Sequence, residues 1–350
     1  MSVRALYYIK NFITDNIPQS IFYEKLSRTL DDYSSNEIES LLYRVNYYNK
    51  LNNEFSLNSA TINNIDKNKS LYYYDLKQYA RYFQPDIRIS YVFGDVITIP
   101  DEPSIVKSRP IDGNNPNSVI MNLNKVRHFK EAKDTLSFRA KKNMAVWRGR
   151  SNNIKRVNLA KLYHDSPLCD IGLVNGELPE LMKPWLSMEQ QLGYKYIVSV
   201  EGNDVATNLK WIMSSNSLCM MPKCVYETWF MEGLLVPGFH FVLLNDDISD
   251  LEEKISYYND NPAEAEEIIK SAQMYTSMFY NKREEKLISI LILLKYFSLS
   301  GQITLNGQLE SLSESVIKGL MSGKTDADRP EQQLLFGAGN VRAESPILAA

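Results

Sequence analysis

The chain has 350 residues, 44% of them hydrophobic, so it can bury a sizeable core and is expected to form two domains. A formal net charge of −3 gives no support to nucleic-acid binding, and the three cysteines (Cys169, Cys219, Cys224) form no metal-ligand set. Reduced thiols, no leader-like opening and a longest apolar run (residues 287–294) short of the ~18 a span needs suggest a cytoplasmic protein that at most lies against the inner membrane.

Residues 1–85 read mainly as helices. Apolar and aromatic residues recur at three and four spacing over residues 5–13, and Pro18 separates these from a second run, 21–30. Asn36 is placed to cap a third helix with Ile38, Leu41, Leu42, Val45 and Tyr48 as its buried stripe. From Ile87 the period changes: residues 88–93 alternate like a strand and end in Gly94-Asp95. An aspartate there lies at a sheet rim, where sites are built; a simple turn former is the competing reading. Asp101 and Glu102 follow in a Pro-bounded loop.

Basic residues crowd residues 125–156. They could face an anionic substrate or membrane surface, or form an ordinary solvated helix and loop. Within them, residues 145–152 read as a short strand delivering Arg148, Gly149 and Arg150 to a loop. Two guanidinium groups beside a flexible backbone can clamp diphosphate oxygens; a surface salt bridge is the alternative. Asn152 or Asn153 can cap the helix predicted over 154–163.

The stretch 195–227 organises the second half. A β-branched strand (196–200), a turn at Glu201-Gly202-Asn203-Asp204, helical spacing over 205–214 and a second strand (218–221) make a βαβ unit. Free amides at that helix start, with Asn203, Asp204, Thr207 and Asn208 around them, suit a phosphate or sugar diphosphate. An ordinary βαβ turn with capping Asn and Asp is the competing reading. A strand over 170–174 and another over 239–244 extend the alternation, which predicts a parallel, doubly wound domain. Helical patterns return over 248–258, 262–280 and 284–297; periodicity is lost from about Ser322, which reads as a disordered tail. No P-loop or HExxH pattern occurs, and Asn245-Asp246-Asp247 reads as the lead into a capped helix, Ser249-x-x-Glu252, with no metal implied.

VKSRP (106–110), VWRGR (146–150), KYIVSVEGNDVATNLKW (195–211), YETWF (226–230) and PGFHFVLL (237–244) together resemble glycosyltransferase family 90, over roughly residues 85–300 and closest to its bacterial lipopolysaccharide branch. The resemblance implies an α/β, two-domain GT-B-like glycosyltransferase with a helix-rich N-terminal region and a Rossmann-like C-terminal domain. The boundaries that follow are 1–165 for the acceptor side and 166–283 for the donor side, then 284–321 packing back on the first domain and 322–350 as the tail. It implies a metal-independent, inverting transfer from a nucleotide sugar, read here as UDP-linked, to a hydroxyl of a lipopolysaccharide core, O-antigen or capsule glycan. No cofactor is implied. The partners are the nucleotide sugar and a glycan or glycolipid acceptor, with peripheral contact to the inner membrane.

By the same resemblance Asp95 is the catalytic base and Arg148 stabilises the departing diphosphate. The donor loop is Glu201 to Asn208, and Glu227 is the candidate for the ribose hydroxyls. Eukaryotic members tend to carry an arginine where this chain has Asn208, so Lys210 or Arg150 is expected to supply the missing cation. Two rival functions remain: a non-catalytic nucleotide-sugar or glycan-binding protein on the same fold, and a lipid-carbohydrate kinase, which lacks its nucleotide loop here.

Overall fold

Helices dominate the first 80 residues because apolar and tyrosine positions recur there at helical spacing. The computed structural model describes residues 3–305 and 312–322. Its first helices are α1 (Val3–Asp15), α2 (Ser20–Tyr23), α3 (Leu26–Asp31), α4 (Ser35–Tyr48) and α5 (Ser70–Ala80). The run 21–30 is thus two short helices, interrupted at Glu24 and Lys25. The cap of α4 is Ser34, not Asn36. Ser34 Oγ accepts from the Glu37 amide and the Glu37 carboxylate accepts from the Ser34 amide, a reciprocal pair that starts the helix two residues before Asn36. Ile38, Leu41, Leu42, Val45 and Tyr48 are all buried.

Strands β1 (Tyr91–Val92), β2 (Ser104–Val106) and β4 (Ser118–Ile120) form a small parallel sheet in the order β1-β2-β4. Strand β3 (Ser108–Pro110) pairs antiparallel with β9 (Tyr226–Thr228). The strand expected over 88–93 shrinks to two residues. The amides before it bond elsewhere: Arg88 to Gln302 Oε1, Ile89 to Ala60 O and Ser90 to Tyr296 Oη.

The five-stranded parallel sheet contains β5 (Lys142–Gly149), β6 (Cys169–Leu173), β7 (Tyr194–Val198), β8 (Leu218–Met221) and β10 (Val242–Leu243), in the order β10-β8-β7-β5-β6. Both faces are buried, as a parallel sheet requires. Val146, Ile197, Cys219 and Met221 join the core of the N-terminal helices; Ala145, Trp147, Tyr196, Val198, Leu218 and Met220 join a second core. Helices α6 (Lys125–His128), α7 (Ile154–Tyr163), α8 (Met188–Gln191), α9 (Leu209–Met213), α10 (Leu251–Asp260) and α11 (Pro262–Ser277) intervene or follow. Because β5 lies between β6 and β7, the sheet runs across the expected boundary at 165/166 and begins at Lys142.

Helix α12 (Lys282–Leu299) packs on α4 and α5. Its fully buried Lys295 donates to Asn46 Oδ1 (2.7 Å) and Asn49 O (2.9 Å), which ties α12 to the end of α4. A further helix, Glu314–Met321, also lies on α4. The tail beyond Ser322 falls outside the described residues. Among the described residues no helix is long and apolar enough to cross a membrane. The basic stretch 125–156 is not one patch: Lys125 pairs with Asp75, Arg139 with Glu266, Lys141 with Asp134 and Arg148 with Asp170.

Candidate active site

Strand order locates the crevice. Numbered from β5, the sheet runs 2-1-3-4-5, and the connections diverge between β5 and β7. Open α/β sheets hold ligands beyond the carboxyl ends of their strands at such a switch point. Here the loop after β5 meets the loop after β7. Asn152 Nδ2 donates to Asn203 Oδ1 (3.0 Å), and Asn153 Nδ2 donates to Gly202 O (2.8 Å). Asn153 also caps α7 by accepting from the Lys155 amide at 2.8 Å. Arg156, in the first turn of α7, donates to Val200 O (2.9 Å) and Glu201 O (3.0 Å). A Cβ on Gly202 would stand 3.0 Å from Arg156 Nη2, so glycine is what lets the guanidinium lie against this turn. Sequence reasoning saw Arg156 only as one of many basic residues.

Asp95 reaches the same loop from the other side. Gly94 before it has φ +126°, a conformation that favours glycine, and it turns the chain after β1. Asp95 Oδ1 accepts from Lys107 Nζ at 2.6 Å, and Oδ2 accepts from Asn203 Nδ2 at 3.2 Å. Lys107 also pairs with Asp204 Oδ2 at 2.6 Å, and Ser108 Oγ donates to that oxygen at 2.7 Å. The chain Asp95–Lys107–Asp204 therefore clips the β1 loop to the β7 loop.

Lys107 is 2% exposed, whereas 28% of the Asp95 side chain is open, so only the aspartate can meet an incoming group. Burial raises the Asp95 carboxyl, but the Lys107 hydrogen bond and charge, with the Asn203 amide, outweigh it and hold it below the usual range. Burial works against charged Lys107 too; Asp204 outweighs it and leaves the ammonium above its ordinary value. Exposed Arg127, on α6, adds a cation whose charge reaches both Asp95 and Arg156.

On the far side of the turn a narrow cleft, with room inside for about 20 Å³, opens at the carboxyl ends of β7 and β8, lined by Lys155, Ser199, Glu201, Ala206, Lys223 and Glu232 among others. Glu201 closes its floor by accepting the Val225 (3.0 Å) and Tyr226 (3.1 Å) amides. Burial lifts its carboxyl to about 7, against the pull of those two amides and with the Glu232 charge adding to the rise. The unfolded value is about 4.3, so between the two the folded state binds more protons and stability falls as pH rises. Glu201→Gln is expected to flatten that fall between about pH 5 and pH 8. Denaturant titrations at both pH values check it; equal slopes for parent and variant would remove the assignment.

Other expected site residues lie elsewhere. The helix predicted from Val205 begins only at Leu209, and the Gly202 amide at the turn bonds to Asp204 O. Asn208 is occupied by Val198 O (3.0 Å) and Ser199 Oγ (3.1 Å), and Thr207 is half-buried. Lys210 is buried against Glu232, which also accepts from Thr228, so Lys210 cannot supply an open cation. Arg150 is exposed in the loop after β5.

Arg148 does not form the clamp with Arg150. Its guanidinium donates to Asp170 Oδ1 and O (both 2.6 Å), Pro184 O (2.8 Å) and Trp147 O (3.0 Å), a local anchor of β5 to β6. Glu227 is 1% exposed and bonded to Arg109 Nε (2.7 Å) and Tyr47 Oη, out of reach of a ribose. Asp246 meets Lys155 at 3.4 Å, and Asp247 accepts from Ser249 at 2.8 Å; neither joins the Asp95 cluster. The turn forms ahead of α10, whose first residue is Leu251, so the box proposed from Ser249 to Glu252 is absent.

Residues 118–284 match the family model described as Glycosyl transferase family 90. Over 263 residues, 73% of this chain and 82% of the relative, the sequence is 48% identical to "O-glucosyltransferase LpsA" of Dichelobacter nodosus. It is 30% identical over 141 residues to "Protein O-glucosyltransferase 3" of Homo sapiens, covering 38% of this chain and 28% of that one. "Protein O-glucosyltransferase 2" of Danio rerio matches at 28% identity with the same coverage, 38% and 28%.

Proposed function

The chain belongs to glycosyltransferase family 90, and we propose that it carries a glucosyl group from UDP-glucose to a hydroxyl of a lipopolysaccharide core, O-antigen or capsule glycan, with inversion at the anomeric carbon. The relatives' names, which read O-glucosyltransferase, favour glucose and an oxygen acceptor. In this reading the sheet from β5 to β10 is the donor half of a GT-B-like pair and the segment before Lys142 is the acceptor half.

One observation carries the proposal: the open Asp95 carboxylate is fastened through Lys107 and Asn203 to the loop at the sheet's switch point. A nucleotide lying across the mouth of the adjoining cleft would hold its sugar beside that loop. The acceptor oxygen attacks the anomeric carbon as the bond to the diphosphate breaks, and Asp95 takes the hydroxyl proton. The diphosphate leaves as UDP, its charge met by Lys155, Arg127 and Arg150, which border the two loops. Lys107 keeps Asp95 ionised and aimed. That costs some basicity but ensures that the proton-accepting form is present at neutral pH.

Purified protein should gain stability from UDP, about 2.7 kcal/mol at 100 times the dissociation constant, and release UDP from UDP-glucose faster when acceptor glycan is added. EDTA should leave that rate unchanged, because Asp246 and Asp247 are engaged with Lys155 and Ser249 away from Asp95. Loss with EDTA and recovery with Mn²⁺ would overturn the metal-free mechanism. No stabilisation by UDP and no UDP release with any acceptor would overturn the function.

A further inference from the structure

A second cavity, of about 210 Å³, lies between α1, α2 and α5 and shares no residue with the site above. Its walls carry Lys67, Lys77 and Arg81 against one carboxylate, Asp15. That carboxylate is already shared: Tyr73 Oη donates to it at 2.8 Å and Lys67 Nζ at 3.0 Å. Lys77, 8% exposed, has only neutral acceptors, Gln19 Oε1 and Ile62 O, both at 3.1 Å.

Arg81, 4% exposed, bonds through Nε to Lys77 O (2.9 Å) and through Nη1 to Thr14 O (2.8 Å). Its Nη2 has no hydrogen-bond partner; the nearest carboxylate oxygen, Asp15 Oδ1, is 3.9 Å away. A buried guanidinium nitrogen left without an acceptor is costly, and a planar fork beside two ammonium groups matches a tetrahedral oxyanion.

The surface around this cavity is apolar where a solvated helix would be polar. Tyr7 and Asp15 hold one face of α1 on α5, through Asp75 (2.7 Å) and Tyr73 (2.8 Å). The opposite face presents Leu6, Ile9, Phe12 and Ile13, 47–64% exposed. Ile17, 39% exposed, continues that surface into the lining of the cavity. Contiguous exposed apolar surface marks an interaction site, and beside a cationic pocket its chemistry is that of an amphiphile.

We propose that this cavity binds the phosphate of an anionic membrane lipid, with the outer face of α1 seated among the acyl chains. Charge excess in the pocket and the apolar row leading to its rim both select that one class of partner. Neither observation depends on the transfer reaction, so the two assignments fail separately.

The test is co-flotation of the full chain with vesicles of phosphatidylcholine, plain or doped with phosphatidic acid. A thermal shift with inorganic phosphate at fixed ionic strength runs beside it. Doped vesicles should recruit the protein and plain ones should not. Lys67→Gln, at an exposed side chain, should weaken recruitment on the order of fivefold. Phe12→Ser should weaken it roughly tenfold or more while leaving transfer to a soluble acceptor unchanged. Equal binding to both vesicles, or undiminished binding by folded Lys67→Gln and Phe12→Ser proteins, would overturn the proposal. Stabilisation by inorganic phosphate without vesicle recruitment would also overturn it, in favour of a free-phosphate site.

Discussion

Asp95→Asn is expected to lower kcat by about 10²–10⁴-fold, the range a general base contributes, while UDP affinity and Tm stay near those of the parent. Asparagine is close to isosteric, and its amide oxygen can still accept from Lys107, so the clip to the β7 loop survives in part. Lys107 also keeps its second partner, Asp204, at 2.6 Å. Only proton acceptance is lost.

Asp101 and Glu102 are the controls, because they stand nearby in sequence. Glu102 accepts from Ser90 Oγ at 2.8 Å, and neither residue bonds to the loop after β7. Asp101→Asn and Glu102→Gln should therefore leave kcat within a few-fold of the parent, as expected away from the chemistry. Near-parental turnover in Asp95→Asn, with collapse in either control, would move the base. The pH profile gives a second reading. Lys107 holds the Asp95 carboxyl below the usual range, so the acidic limb of kcat/KM should appear only beneath ordinary carboxylate values.

Much of this site was legible because it is local. A strand, a glycine turn and a return strand are neighbours in sequence, so periodicity alone marks the loop at residues 201–204. The position of Asp95, just past β1 and Gly94, was legible for the same reason. Side chains whose roles depend on distant partners were not. Arg148 and Arg150 look alike in VWRGR, but pairing of β5 with β6 brings Asp170 to Arg148 and leaves Arg150 outside. Arg156 looks like surface charge until the turn at 200–202 is folded over it. The helix start at Leu209 rather than Val205 is a further case: Val205 and Ala206 are apolar because they line a cleft, not because a helix buries them. The place of β5 was not legible either, since nothing in a strand's own sequence says that it will sit in the middle of a later sheet.

Glu227 separates a ligand role from a structural one most sharply, and Glu227→Gln is expected to cost about 3–5 kcal/mol of stability, the usual penalty for stranding one partner of a buried pair. Arg109 is wholly buried and donates to Glu227 (2.7 Å), Tyr47 O (2.7 Å) and Ser118 O (3.1 Å), and it lies on β3, whose antiparallel partner β9 carries Glu227. The pair thus joins three segments of the chain: the end of α4, the stretch from β3 to β4, and β9. Removing the carboxylate charge leaves a guanidinium in the core with no counter-ion. Arg109→Met should cost a similar amount by stranding Glu227 instead. The double change should cost less than the two losses added, since contacting residues are not additive. Urea titrations of the three variants give these values, and UDP affinity measured on the folded fraction gives the contrast. A ribose-binding Glu227 would show the opposite signature, with stability within about 0.5 kcal/mol of the parent, as for changes away from such features, and UDP affinity sharply reduced. That outcome would return Glu227 to the donor site and break the link between β3 and β9 as an account of how the two halves are held.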